Sequence, residues 1–527
     1  MKSNSIIKVL FLFISINFYS QQVTNGFSMP ESVTSDGERY FISNQGQDFI
    51  NKDGDGFISE IDNTGKIINL KFLPKEGVLN APKGMCIIND VLYVADLDRI
   101  VGFNIKSKLK VFELIIPNTI VLNDICIYNQ TNIIVTETAS GNIFKINIKS
   151  KSFENIGNIP TSNGVTYNDK TKQLIVCTNG KNYGEGSIYL KNNNSEFVKL
   201  KNIPNGFFDG IEWIDDDNLL ISDWVTFPVK DFGKLWIYNL KSQQAELLFT
   251  GESIADIYYD KVSKSIYMPQ MFHNKLVISN INQLKIASIK NQNNLYNFGV
   301  IESFIGGGYE GILPIKELQF KGDFGLGAPD MLDGELTILD GITYQTNATG
   351  ETTIVEGNDK TSFASVTFFK ADSIVYINNI TNELDAFEKI KLHLNNKNGM
   401  YAIRVSGNFE KIKTRAFSPV KNKPFTKLSN MLDQQSFFNL ENSTGTLVGF
   451  YLPEYLNEIN VAGFHFHYLS SDKAHGGHVI NFSANSLKVE IAYLKSFCLD
   501  VPDDDYFKQF EFESKINQDL KKVEKGQ

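Results

Sequence analysis

Residues 82–96 read PKGMCIINDVLYVAD, a short apolar strand, a polar turn and a second β-rich strand. The same pattern recurs in PESVTSDGERYFIS, LNDICIYNQTNIIVTE, SNGVTYNDKTKQLIVCT, FDGIEWIDDDNLLISD and IADIYYDKVSKSIYMP, and most copies are followed by a hairpin such as GKLWIYNLKSQQAELLF. Four strands per repeat, at a spacing of roughly 40 to 52 residues, is typical of β-propeller blades. The six copies therefore predict an all-β, six-bladed propeller over residues 23–285.

A second motif lies inside the first blade. NKDGDGFISEID, residues 51–62, has oxygen-bearing side chains and a glycine at the spacing of an EF-hand calcium loop. An EF-hand places this loop between two helices, whereas YFISNQ precedes it and ISEIDNTGKIINLKF continues it as alternating strands. We interpret the stretch as a blade loop, and calcium binding there stays open as an alternative.

A different composition follows the repeats. Residues 286–298, IASIKNQNNLYNF, are Asn-rich without a strong period, which predicts a linker. Beyond it, SFIGGGYEGILPIKELQF has helical spacing with a glycine-rich interruption, and strand patterns such as GELTILDGITYQ come next. Residues 299–527 are therefore predicted to form a second domain of the α/β (α+β) class.

Four of the six histidines fall within GFHFHYLSSDKAHGGHV, residues 463–479. Alternate residues of a strand share a face, so His465 and His467 project together, and the turn that follows returns His478 beside them. Three imidazoles on one sheet face can hold zinc and leave coordination positions for substrate, which favours catalysis. The alternative is a half-exposed strand with hydrogen-bonded histidines. His475, in the turn, is predicted to be a bystander.

Residues from about 300 to 527 resemble the acetolactate decarboxylase family. Four separated motifs carry the resemblance in order: GGGYEGILPIKEL, KGDFGLGAPDMLDGELTILDGITYQ, NGMYAIRVSGNFEKIKTRAF and GTLVGFYLPEYLNEINVAGFHFHYLSSDKAHGGHVINF. The resemblance implies a zinc enzyme that converts 2-acetolactate to acetoin and carbon dioxide, with His465, His467 and His478 as ligands. It also implies catalytic roles for Glu335, Arg404 and Glu524.

These residue types suit the reaction. A cation that chelates the ketone and hydroxyl oxygens of 2-acetolactate supplies an electron sink. A guanidinium, assigned to Arg404, holds a carboxylate bidentately, and a carboxyl group, Glu335 or Glu524, delivers a proton to carbon. One departure is Ala328-Pro329, where the family usually carries a threonine-containing run; a hydroxyl near the substrate is therefore expected to be missing.

The propeller is similar, more loosely, to the gluconolactonase and regucalcin type. That resemblance implies a calcium or magnesium site made by Glu31 in PES, Asn163 in SNG and Asp209 in FDG, with Asn123 in LND as a ligand contact. Two hypotheses therefore stand. Either the propeller is an accessory module of a decarboxylase, or it is a sugar-lactone hydrolase or ligand-binding protein attached to a degenerate decarboxylase domain.

The N-terminal residues and the net charge give two further expectations, about export and about binding partners. Residues 1–20, MKSNSIIKVLFLFISINFYS, have the pattern of a signal peptide, which predicts an exported protein with no membrane anchor after cleavage. The net charge of -9 and the lack of a basic cluster argue against nucleic-acid binding. The predicted partner is therefore a small molecule, and the sequence leaves the oligomeric state open.

Overall fold

The first half of the chain forms six four-stranded antiparallel sheets, one for each sequence repeat. The computed structural model describes residues 21–181, 184–193, 195–225 and 232–512, so the predicted signal peptide lies outside the described residues. The innermost strands of neighbouring sheets contact one another in a closed cycle. The predicted six-bladed propeller and the mixed second domain are both confirmed.

The strands of the first three blades follow one another along the chain, after a strand β1 at Gln22–Asn25. They are β2 Pro30–Ser35, β3 Tyr40–Asn44, β4 Phe57–Ile61, β5 Ile67–Leu73, β6 Pro82–Ile88, β7 Val91–Asp96, β8 Arg99–Asn104, β9 Lys110–Ile115, β10 Leu122–Asn129, β11 Asn132–Glu137, β12 Asn142–Asn147 and β13 Ser152–Asn158.

Blades four to six continue in the same way. They consist of β14 Ser162–Asn168, β15 Gln173–Thr178, β16 Ile188–Asn192, β17 Val198–Lys199, β18 Phe208–Trp213, β19 Asn218–Asp223, β20 Gly233–Asn239, β21 Gln244–Gly251, β22 Tyr258–Asp260, β23 Ser265–Gln270 and β24 Lys275–Asn280. The sixth blade takes its outer strand from the other end of the propeller, since β1 pairs antiparallel with β24. This pairing joins the two ends of the ring.

The EF-hand-like stretch lies in blade one, as predicted, without flanking helices. Residues 51–56 form the second half of the connection from β3 to β4, and Ser59 and Glu60 are buried within β4. Asp62, at the twelfth position, lies in the next hairpin turn, where its carboxylate accepts a hydrogen bond from the backbone N–H of Thr64. The loop and its last acidic residue are thus separated by a strand.

The predicted linker is ordered secondary structure. Helix α1 spans Ile281–Asn291, and strand β25 spans Asn294–Phe298. The side chain of Asn280 caps α1 by accepting a hydrogen bond from the backbone N–H of Asn282. β25 pairs in parallel with a strand near the end of the described chain, a partner that local sequence cannot reveal.

The second domain contains two sheets and short helices. Its remaining strands are β26 Leu313–Pro314, β27 Phe324–Pro329, β28 Glu335–Leu339, β29 Ile342–Thr346, β30 Thr352–Ile354, β31 Lys360–Thr367, β32 Ser373–Ile380, β33 Met400–Phe417, β34 Gln435–Leu452, β35 Gly463–Ser470, β36 Gly476–Leu494 and β37 Ser496–Asp500. The helices are α2 Ile301–Gly306, α3 Ile315–Gln319, α4 Glu383–Lys391 and α5 Asp505–Gln509, with 3-10 turns at Asp330–Leu332, Leu428–Asn430, Leu432–Gln434 and Glu454–Leu456; one further 3-10 turn, Met271–His273, lies in blade six of the propeller. None of the described helices has the length and apolar character needed to cross a bilayer.

The two sheets of this domain pack face to face. The first has the order β30-β29-β28-β27-β31-β25-β37, with β26 beside β31, and the second has the order β32-β36-β33-β34-β35. β35 also pairs with β36, so β33 to β36 form a closed ring of strands. Leu326 and Leu339 from the first sheet and Val448 and Phe450 from the second share one buried cluster. This contact brings β28 against β35 and β36.

The propeller contacts the second domain through a buried lysine. Lys234, on β20, donates a hydrogen bond from Nζ to the carbonyl oxygen of Asp340 at 2.8 Å. The same ammonium lies 3.6 Å from Asp323 Oδ2, and the side chains of Lys234 and Asp323 are only 4% and 12% exposed. A Cβ on Gly341, at the turn between β28 and β29, would lie 2.1 Å from the Phe232 ring. The turn therefore docks tightly on blade five.

We expect Lys234→Met to lower the free energy of unfolding by about 3 kcal/mol, since removing one partner of a buried ion pair leaves the other charge uncompensated. Lys241→Met is the matched control, because its exposed pair with Asp217 is typical of surface ion pairs that contribute little. Urea denaturation measures both. Adding Asp323→Asn to Lys234→Met should recover most of the loss. A Lys234→Met protein as stable as the control would contradict the assignment.

Candidate active site

Three histidines converge where β35 meets β36. His467 and His478 are directly opposite each other across the two strands, and His465 lies two residues before His467 on the same face. Their ligand nitrogens all lie within 4.8 Å of one another, and His465 Nε2 is 3.2 Å from His478 Nδ1. A zinc ion bound tetrahedrally at about 2.0 to 2.1 Å would hold two ligand nitrogens about 3.3 Å apart. The three predicted histidines thus form a cluster that can hold a metal ion.

The protonation of the histidines suits a metal. Burial and the nearby Arg415 charge lower the pKa of His465 to about 3, and burial holds the pKa of His467 well below its ordinary value. His467 Nδ1 lies 2.7 Å from the carbonyl oxygen of Leu336, to which it donates a hydrogen bond. This contact leaves the Nε2 lone pair facing the cluster. Neutral imidazoles with an oriented lone pair are the form that binds zinc.

A buried ion pair lies beside the cluster. Glu335, the first residue of β28, accepts a hydrogen bond at Oε1 from Arg415 Nη1 at 2.8 Å, and its Oε2 lies 3.5 Å from His467 Nε2. Arg415 is cross-strand from His478, near the end of β33. Gly477 has a φ of 113°, and a Cβ there would lie 2.7 Å from the Arg415 carbonyl oxygen. Glycine at this position therefore allows β36 to approach the residue that carries the guanidinium.

The prediction of a catalytic role for Arg404 is wrong, because this residue lies away from the histidine cluster. Arg404 lies on the same strand as Arg415 but eleven residues earlier, roughly 35 Å of extended chain. Its Nη2 donates to Asp340 Oδ1 at 2.8 Å, and its guanidinium packs on the Phe369 ring at 5.0 Å. Burial alone would raise the pKa of Asp340, but Arg404 and Lys234 bring it below its ordinary value. Arg404 thus supports the turn that docks on the propeller.

Sequence reasoning missed Arg415 although it is in the same motif. Both arginines occur in NGMYAIRVSGNFEKIKTRAF, one in YAIR and one in KTR. The motif alone does not say which end of an 18-residue strand meets the histidines. Only the register of β33 with β36 distinguishes the two arginines, because it pairs Arg415 with His478 and Arg404 with Glu490.

The structure describes some of the remaining predicted site residues of the second domain and leaves one outside. Glu524 lies outside the described residues, so its predicted role stays a prediction. Ala328, at the departure from the usual threonine-containing run, lines the cavity beside the histidines. The apolar walls of this cavity include Ile301, Phe304, Leu326, Leu332, Phe363 and Phe417. Such walls suit the apolar part of a small ligand. His475 is exposed in the turn, outside the cluster.

The propeller residues singled out from the sequence also lie close together. Glu31, Asn163 and Asp209 occupy the second position of the innermost strand in blades one, four and five, and each is buried. The Asn163 side chain hydrogen-bonds to the Asp209 carboxylate, and Glu31 accepts a hydrogen bond from Gln45 at 2.7 Å. Asn123, in blade three, donates to Thr138 at 3.0 Å.

Comparison with known proteins identifies the second half of the chain. The family model for alpha-acetolactate decarboxylase matches residues 295–514. Alpha-acetolactate decarboxylase of Methanosarcina mazei is 36% identical over 231 residues, which cover 44% of this chain and 80% of the relative. The Bacillus licheniformis protein of the same name is 35% identical over 224 residues, which cover 42% of this chain and 88% of the relative.

A solved structure of the same name is also similar. The crystal structure of alpha-acetolactate decarboxylase from Bacillus subtilis strain 168 has 31% sequence identity and a TM-score of 0.43, with 44% of this chain and 100% of that chain covered. The histidine cluster and the buried ion pair beside it fall within the matched segment. Through residues 295–514, the chain belongs to the alpha-acetolactate decarboxylase family.

Proposed function

We propose that the second domain decarboxylates 2-acetolactate to acetoin and carbon dioxide, with zinc held by His465, His467 and His478. The observation that carries this proposal is the meeting of three imidazoles with the buried pair Glu335–Arg415 in one cavity. Family membership supports the reaction, and the nitrogen donors favour zinc over calcium or magnesium. When bound, zinc supplies a Lewis acid that stabilises negative charge on the oxygens of the substrate.

Arg415 and Glu335, which lie beside the cluster, have separate roles in the proposed reaction. Decarboxylation breaks the bond between the carboxyl carbon and its neighbour and leaves the electron pair on an enediolate, which then takes a proton at carbon. Arg415 is placed to hold a substrate carboxylate through its guanidinium, as a planar fork does better than an ammonium. In this proposal Glu335 moves the proton, which is supported by the position of its carboxyl group between Arg415 and the histidine cluster.

The propeller serves this domain as an accessory module in our proposal. Its blade five contacts the turn that follows β28, the strand on which Glu335 lies. We propose an exported protein, on the strength of the signal pattern at residues 1–20. The sugar-lactone hydrolase alternative would need a divalent cation at the propeller axis, where the buried residue Lys83 lies instead.

The test is acetoin formation by the purified full-length protein. Activity on 2-acetolactate should disappear when a chelator removes the metal and return when zinc is restored. Metal analysis should find one zinc per chain in the active form. A folded protein loaded with one zinc that forms no acetoin would refute the reaction. A protein that keeps full activity after the metal has been removed would refute the metal while leaving the reaction standing.

A further inference from the structure

The six blades present equivalent residues at the propeller axis. In the innermost strands of five blades the pairing with the next strand shifts between the first and fourth residues, as at Pro30/Val33 and Pro82/Met85. Such a bulge turns side chains out of the regular alternation. The residues at the second position of the repeat form what we call the axial ring: Glu31, Lys83, Asn123, Asn163, Asp209 and Ala255. Its five polar members are all buried.

The residues at the third position of the repeat show how neighbouring blades pack around the axial ring. Asp124 and Asp256 occupy this position in blades three and six, and each faces a glycine of the preceding blade. A Cβ on Gly84 would lie 2.5 Å from Asp124 Oδ1, and one on Gly210 would lie 2.6 Å from Asp256 Oδ1. The carboxylates of Asp124 and Asp256 therefore fill the space that side chains at positions 84 and 210 would occupy. Burial raises the pKa of both, that of Asp124 to about 6.

A cation is already built into the axial ring. Lys83 is 4% exposed, and its Nζ donates to Gln45 Oε1 at 2.7 Å. The Gln45 amide in turn donates to Glu31 Oε2 at 2.7 Å, so the glutamine links the ammonium to the carboxylate. The Lys83 charge opposes the rise that burial causes in the pKa of Glu31, and it acts in the same way on Asp209. Lys83 thus provides positive charge to blades one and five together.

We infer that the ammonium of Lys83 takes the place of the divalent cation that the likeness to gluconolactonase-type propellers implies. Calcium needs six to eight oxygen ligands, and the side chains of the axial ring that offer oxygen are those of Glu31, Asn123, Asn163 and Asp209. A fixed ammonium buried among those groups repels a second cation and supplies counter-charge without one. The axial ring is therefore a charge-compensated junction, and this conclusion is independent of the metal at the histidine cluster.

Terbium and calcium are the probes for this inference, used on the full-length protein with zinc restored. Trp224 in blade five shares a buried cluster with Ala255 of the axial ring, so it can sensitise terbium luminescence there. The wild-type protein should show no saturable site at the axial ring. Lys83→Gln, which removes the charge and adds an amide oxygen, should gain one site tighter than about 10⁻⁴ M, within the range of oxygen-ligand calcium sites.

Two further variants locate any binding. Adding Asp209→Asn to Lys83→Gln should remove the gained site, whereas calcium held by the loop at residues 51–56 would persist. Lys241→Gln, an exposed lysine of blade five, should bind as the wild type does. The inference is overturned if the wild-type protein binds one calcium that Asp209→Asn removes. It is also overturned if a folded Lys83→Gln protein gains no site; should that variant not fold, the wild-type titration decides.

Discussion

His467→Ala is expected to abolish acetoin formation and zinc binding together. His467 is 1% exposed, lies opposite His478, and is held by the Leu336 carbonyl oxygen at 2.7 Å, so the substitution removes an oriented nitrogen from the cluster. The loss should exceed the roughly 100-fold that removing an outer hydrogen-bond partner of a metal ligand typically costs. Steady-state kinetics and metal analysis on the same preparation measure both losses.

The matched control is His475→Ala. His475 belongs to the same motif but is exposed in the turn between β35 and β36. This variant should keep one zinc and nearly full activity. If His467→Ala retained zinc and turnover, the histidine cluster would not be the catalytic metal site. If His475→Ala lost as much activity as His467→Ala, the assignment of ligands within the motif would be wrong.

Arg415→Lys is expected to lower kcat by about 10²-fold, comparable with removing one preorganised donor from a catalytic site. Lysine keeps the charge but loses the planar fork that reaches Glu335 and a substrate carboxylate. Zinc content should stay at one per chain, because the three candidate zinc ligands are histidines and the substitution leaves all of them in place. Full kinetics on 2-acetolactate distinguish a loss in kcat from a rise in KM.

Arg404→Lys is the control for this prediction, since it makes the same change on the same strand. Arg404 bonds to Asp340 and packs on Phe324 and Phe369, away from the histidines. We expect its activity to stay close to that of the wild type and its thermal stability to fall. The reverse pattern, with Arg404→Lys inactive and Arg415→Lys active, would restore the assignment made from the motif and refute the one made from the structure.

The repeats predicted the propeller because each blade is built from hairpins that are local in sequence. The alternation of apolar residues and the polar turns recur within every copy, so the strand pattern is visible without tertiary contacts. The predicted linker failed for the opposite reason. β25 is stabilised by β31 and β37, and the sequence around it gives no sign of these distant partners.

The histidine cluster was predictable because its three members lie within fourteen residues of a single hairpin. Strand alternation places His465 and His467 on one face, and the turn returns His478 to them. The arginine was not predictable in this way. Choosing Arg415 over Arg404 requires the register between β33 and β36, two strands separated by a further hairpin.

By itself, the amino-acid sequence determined the six-bladed propeller, the mixed strand and helix content of the second domain and the three clustered histidines, since each is visible in patterns of residues that are close along the chain. Only the tertiary structure decided that Arg415 lies at the cluster, that Arg404 and Lys234 support a docking turn, and that Lys83 lies among the axial carboxylates. The physical reason is that these groups act through charge and hydrogen bonds between distant segments, and the positions of those segments are fixed by strand register and domain packing.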